Sequence, residues 1–279
     1  MLATLGAEPL PSGSRAAVDA LLSRLLPERA LEDSFCLHDL GRAARALRAW
    51  REAFPRVAPR YAVRANADPG LLATLAALGA GFACRSRREA DAALLHGAPA
   101  SRLVLTHPLR RPAELRALAH TGVDLVAFDG AGEIAKLRQL HPGCRLLLRI
   151  DVAAEEGAVP QGAAPGDVPG LLDAVAESGL ALAGVALHVG DGAMHADALA
   201  HAVVVARRAF DDAAARGMRP TVLDIGGGFS LSLDPSGRMS AGGVPAALNA
   251  ALDLHFPADG GYEIIAGECG MPNAVAAAA

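Results

Sequence analysis

Lysine is nearly missing from this sequence: of 26 basic residues only Lys136 is a lysine, and the other 25 are arginines. A side-chain primary amine, the group that attacks a carbonyl to form an imine, therefore exists at one position alone. The arginine bias, together with abundant alanine and glycine, is that of a GC-rich coding background. Aromatic residues are also scarce, at 4%, which removes the stacking platforms that single-strand binders use. The net charge of −4 is spread without a basic run that could track a phosphate backbone. Cys36, Cys84, Cys144 and Cys269 form neither a CxxC pair nor a dense disulfide framework, which fits a reducing compartment. No HExxH occurs, and His38, His107, His120 and His141 are too scattered for a metal site. No segment reaches the roughly 18 uncharged apolar residues of a membrane span. Met1–Ser14 lacks a basic start followed by an apolar stretch, and Glu8 and Asp19 speak against an acid-poor presequence. The sequence reads as soluble and cytoplasmic, with neither nucleic acid nor membrane as partner.

What is present is a large apolar inventory, 52% of 279 residues, enough to bury one big core. Short leucine-rich or β-branched runs recur at Tyr61–Arg64, Gly81–Cys84, Leu103–His107, Leu125–Asp129, Leu146–Ile150, Val185–Val189, Val222–Gly226 and Tyr262–Glu268. Between them lie stretches of helical period: Pro69–Leu78, Arg87–Leu95, Pro112–His120, Gly130–Leu140, Val168–Ser178, Ala196–Arg216 and Val244–Leu254. Eight strands alternating with helices predict an α/β fold, a closed (β/α)8 TIM-like barrel. Upstream, Arg15–Leu26 reads as an amphipathic helix and Ser34–Asp39 as an extra strand. The expected division is a helical extension over 1–33 and a barrel over 34–279. Because Ala279 follows the eighth run so soon, the closing helix is expected to be incomplete and to leave an apolar strip exposed. The Gly/Pro/Ala-rich stretch Ala153–Pro169 predicts a loop at the barrel mouth.

Barrel chemistry sits at the C-terminal ends of the strands. Polar residues gather there: Arg64, Asp129, Arg149, Asp151, His188, Asp224 and Glu268, with the run Gly226-Gly227-Gly228 after the seventh strand. The segments Tyr61-Ala62-Val63-Arg64-Ala65-Asn66, Gly79–Cys84, Gly122–Asp129, His188-Val189-Gly190-Asp191-Gly192 and Leu223-Asp224-Ile225-Gly226-Gly227-Gly228-Phe229 carry more than composition. In order and spacing they resemble the ornithine decarboxylase branch of the alanine-racemase-like, pyridoxal-phosphate-dependent enzymes, over about Phe35 to Gly270.

The resemblance implies a PLP-binding barrel of a polyamine-biosynthesis family, and it implies roles residue by residue. His188 matches the histidine that stacks on the pyridine ring, and Glu268 the glutamate that keeps the ring nitrogen protonated. Gly226, Gly227 and Gly228 match the loop whose backbone N–H groups cradle the phosphate. Arg149 and Glu89 match supporting polar positions. Four departures stand beside these matches. Arg64 occupies the Schiff-base lysine position, and a guanidinium offers no free amine. Asp191 replaces a phosphate-binding serine, Met271 an arginine that grips the phosphate, and Ala83 an aspartate near the cofactor. The family's C-terminal β domain, with its substrate-binding residues, is not expected after Ala279. The expectation is a catalytically incompetent or repurposed homologue that has lost covalent PLP binding, with Arg64 paired to Asp191 or Glu268 in the vacated site. Two readings compete with it: an active ornithine or related basic amino acid decarboxylase, and a truncated paralogue without function. The partners implied are a second copy, a complete family member or, by analogy with antizyme inhibitors, an antizyme-like regulator.

Overall fold

The computed structural model describes residues 15–29, 37–152, 161–189, 196–227, 232–233, 239–240, 243–269 and 275–276. Three elements precede the barrel: α1 (Arg15–Arg29), β1 (Leu37–His38) and α2 (Leu40–Ala53). The barrel then runs β2 (Val57–Ala62), α3 (Pro69–Ala77), β3 (Gly81–Cys84), α4 (Arg87–Leu95), β4 (Leu103–Leu105), α5 (Pro112–Leu118), β5 (Leu125–Phe128) and α6 (Ala131–Leu140). It continues β6 (Arg145–Asp151), α7 (Val168–Ser178), β7 (Ala181–His188), α8 (Ala196–Ala215) and β8 (Val222–Asp224). A small antiparallel pair, β9 (Ser232–Leu233) and β10 (Met239–Ser240), comes before α9 (Val244–His255) and β11 (Glu263–Cys269). Finally β12 (Val275–Ala276) pairs antiparallel with β1.

Eight parallel strands close in the order β11-β2-β3-β4-β5-β6-β7-β8, the barrel that the alternation predicts. Its interior is a thin layer of Ala83, Val104, Leu125, Leu147, Ala183, Ala186, Val222 and Ile265. Three of these are alanines, and the space they leave is taken by arginines entering from either end. Arg60 fills the floor: its Nη2 donates to Glu263 at 2.8 Å. Burial pulls its pKa below the usual arginine value, although Glu263 and Asp224 oppose that. Gly81 is needed beside it, because a Cβ there would stand 2.3 Å from the Arg60 guanidinium. Arg149 enters from the opposite end and belongs to the candidate site.

The larger core lies between strands and helices. Helices follow one another around the outside from α2 through α9; the expectation of an incomplete closing helix falls on the stretch after β11, most of which lies outside the described residues. Asp39 accepts from the Arg42 N–H at 2.9 Å and caps the helix. Ala43, Ala46, Leu47 and Trp50 recur at helical spacing and are buried. Trp50 is fully buried, donates Nε1–H to the Val57 carbonyl at 2.8 Å and packs its ring 4.6 Å from Phe54. On the other side, Asn249 of α9 donates to the Ala53 carbonyl at 3.0 Å, and Arg56 pairs with Asp253 at 2.7 Å. The helix before the first strand thus packs on β2, and its C-terminal end lies beside α9. The expected first strand is also displaced. It spans Val57–Ala62, and Arg64 sits in a 3-10 turn, Val63–Ala65, just beyond it. No helix among the described residues is long and apolar enough to cross a membrane.

Candidate functional site

An open cavity lies at the C-terminal ends of the strands. Thr106, Ala127, Leu147, Arg149, Ala186, Leu187, His188, Asp224, Gly226 and Gly227 line it. Side chains alternate across a strand, so Leu147 and Arg149 of β6 point inward together, two residues apart. Arg149, only 7% exposed, is held by three acceptors. Its Nη1 donates to the Thr106 carbonyl at 3.2 Å. Its Nη2 lies 3.3 Å from Gln161 Oε1 and 3.3 Å from His188 Nδ1. Arginine only donates, so Nδ1 of the ring is the acceptor, and a neutral His188 carries its hydrogen on Nε2.

After β8 the chain turns sharply. Asp224, buried, accepts from the Gly226 N–H at 2.9 Å. Gly226 has φ +77°, and a Cβ on it would stand 2.3 Å from the Leu187 carbonyl oxygen. Only glycine lets the backbone approach β7 so closely while lining the cavity. At the end of β6, Asp151 accepts from the Gln161 N–H. Nearby, Asp129 is half-buried, and that burial raises its carboxyl pKa against the opposing pull of Arg149.

Arg64 stands at the same end of the barrel, on a turn fixed by its neighbours. The Tyr61 hydroxyl, in a ring 2% exposed, donates to the Asn66 carbonyl at 3.0 Å; burial pushes that phenol up to about 12. Asn66 accepts from the Asp68 N–H, and Asp68 in turn caps α3. The Arg64 side chain is exposed and does not line the cavity. Glu89 does not line it either. It belongs to the cap of α4: its N–H donates to Ser86 Oγ at 3.3 Å, and its Oε2 accepts from the Arg85 N–H at 2.8 Å. Glu268 lies in β11 with only its backbone described. Gly228, Asp191 and Met271 lie outside the described residues, so of the two expected partners of Arg64 Asp191 does so entirely and Glu268 in its side chain.

The sole lysine does not line the cavity. Lys136 is on α6, outside the barrel, where Nζ donates to the Arg110 carbonyl at 2.9 Å and pairs with buried Glu133. Two residues that hold the site escape the sequence reading, Thr106 and Gln161. Thr106 acts through its carbonyl, which no side-chain pattern marks, and Gln161 lies in the stretch read only as loop. Among the described residues no cluster of three or more His, Cys, Asp or Glu could hold a metal ion.

Residues 40–271 match the family model described as pyridoxal-dependent decarboxylase, pyridoxal binding domain. The chain is 35% identical over 239 residues to ornithine decarboxylase of Mus musculus, covering 84% of this chain and 51% of that one. With the Neurospora crassa ornithine decarboxylase it shares 38% over 239 residues, 84% of this chain and 48% of that one. It therefore spans about half the length of the curated relatives it matches. Among solved structures, the arginine decarboxylase of Paramecium bursaria Chlorella virus bound to agmatine superposes with a TM-score of 0.82 at 29% identity, over 91% of this chain and 68% of that one. The lysine decarboxylase of Selenomonas ruminantium gives 0.77 at 30%, over 94% and 66%.

Proposed function

The chain belongs to the pyridoxal-dependent decarboxylases of the ornithine decarboxylase type, and on that premise we propose that it is a catalytically incompetent or repurposed homologue, unable to hold the cofactor covalently. The observation that carries this is the pair Arg64 and Lys136. An arginine follows β2 where the family resemblance puts the imine-forming lysine, and the one side-chain amine of the chain, on an outer helix, is engaged by Glu133 and the Arg110 carbonyl. A guanidinium stays protonated at any working pH and cannot replace that amine.

Pyridoxal phosphate fits the described residues only in part. The face of His188, the flank of Arg149 and the close-packed Gly226 turn suit a planar anionic heterocycle. Among the described residues no side-chain amine lines the cavity. In the family the group supplies an electron sink for the carbon that loses carbon dioxide. The same reading makes an interaction role the retained one, through a second copy of this chain, a complete family member or an antizyme-like regulator.

The test is release of labelled carbon dioxide from carboxyl-labelled ornithine with excess PLP, comparing the protein with Arg64→Lys. No release from the unsubstituted chain above a no-enzyme control is expected, and none of useful size from Arg64→Lys, because an amine alone does not position a substrate. Turnover by the unsubstituted chain would instead support the reading as an active ornithine or related basic amino acid decarboxylase.

A further inference from the structure

We propose that Gln161 is a positioning residue: it holds the Arg149 guanidinium against Nδ1 of His188 and thereby fixes the tautomer and orientation of the ring at the cavity. The inference rests on reading this cavity as the ligand site, but not on whether catalysis is lost.

The geometry runs from backbone to ring in three links. First, Gln161 is itself held in place. Its N–H donates to Asp151, and the residues after it are stitched to β6, Ala163 N–H to the Arg149 carbonyl at 2.9 Å and Asp151 N–H to the Ala163 carbonyl at 2.9 Å. Ile150 and Ala163 form a parallel bridge, and Gly162 lies so close that a Cβ would stand 2.7 Å from the Asp151 nitrogen. The segment is thus fastened to the very strand that carries Arg149.

Second, the side chain returns to that strand's guanidinium. One bond from Nη1 to the Thr106 carbonyl leaves a planar group able to swing about that contact. A further acceptor, Gln161 Oε1 on Nη2, sets the plane. Third, with the plane set, the other hydrogen on Nη2 points at His188 Nδ1 at 3.3 Å. The ring must then present a lone pair at Nδ1 and keep its hydrogen on Nε2. A glutamine serves because its carbonyl accepts while adding no charge beside a ligand.

Histidine-selective carbon and nitrogen labelling with NMR reads the tautomer directly. The unsubstituted protein is expected to show His188 in the Nε2–H form alone. Gln161→Leu should give a mixture of both tautomers, and Gln161→Glu, which also accepts from Arg149, should restore the single form. Gln161→Asn keeps a polar side chain too short to reach and should behave as Gln161→Leu, so a misfolded leucine variant does not end the test. His141, whose Nε2 lies 2.9 Å from the buried Val123 carbonyl on another part of the barrel, reports folding and should not change. A pure Nε2–H His188 in folded Gln161→Leu and Gln161→Asn would overturn the proposal, as would an Nδ1–H form in the unsubstituted protein. None of these signals depends on decarboxylation, so their outcome is separate from that of the activity assay.

Discussion

Replacing Gly226 by alanine puts a methyl group where two backbones already meet. The residue has φ +77°, and the new Cβ would stand 2.3 Å from the Leu187 carbonyl oxygen. The left-handed conformation alone costs an alanine roughly 1–2 kcal/mol. The contact is with main chain of a barrel strand, which cannot rotate away as a side chain would, and overpacking of this kind costs about 1–3 kcal/mol more. A loss of about 2–5 kcal/mol is expected, a large share of the roughly 5–15 kcal/mol that holds a domain folded. Gly97→Ala separates the two contributions, because Gly97 has φ +94° and nothing within 4 Å of its added Cβ. It should lose only the conformational part, about 1–2 kcal/mol. The chain's single tryptophan, Trp50, is fully buried and gives a built-in probe of unfolding. Urea titrations followed by its fluorescence should show Gly226→Ala with a lower midpoint than Gly97→Ala at similar slopes. Equal losses in the two variants would refute the close approach of β7 to the turn after β8.

Trp50→Phe should destabilise by about 1–3 kcal/mol, since the buried Val57 carbonyl loses its donor; circular dichroism melts in urea measure it, and a neutral result would mean that Trp50 does not tie α2 to β2 as described. Asp129→Asn should stabilise the protein at pH 7 but not at pH 3. Burial raises the folded-state pKa of Asp129, so its contribution favours the fold below the unfolded value and is lost as pH rises through the folded one. Solvent screening at this half-buried position keeps the gain below about 1 kcal/mol, and a loss at pH 7 would show that the pull of Arg149 outweighs burial. Cys84 and Cys144 are buried, and burial pushes the Cys144 thiol up to about 11 and that of Cys84 higher still. Neither should be alkylated in the native protein at pH 8 by peptide-mapped mass spectrometry, whereas both should be in urea; fast native labelling of either would contradict its burial.

The barrel was legible because its strands are short leucine-rich or β-branched runs separated by helical periods. Its seams were less so. The first strand, Val57-Ala58-Pro59-Arg60-Tyr61-Ala62, contains a proline, which lacks an N–H for the ladder and reads as a break. The helix α2 carries local signals, an Asp39 cap and buried residues at helical spacing. What those signals cannot convey is that a helix before the first strand lies beside α9, since that adjacency comes only from closure of the sheet. At the site, Arg149 and His188 were visible as polar residues at strand ends. Gln161 was not, because its place beside Arg149 depends on the Ile150–Ala163 pairing, which leaves no periodic trace. Glu89 shows the converse. A family match marked it as a cofactor neighbour, while its described bonds belong to a helix cap.

On the proposed reading, no side-chain amine of this chain captures the cofactor. Incubation of the purified protein with PLP, reduction with borohydride and intact mass followed by peptide mapping tests it most directly. With Arg64 at the family's lysine position and Lys136 engaged outside the barrel, the account predicts no long-wavelength imine absorbance and no stoichiometric pyridoxyl adduct on any side chain. A stoichiometric, borohydride-stable adduct at Lys136, with a visible band that reduction abolishes, would contradict it.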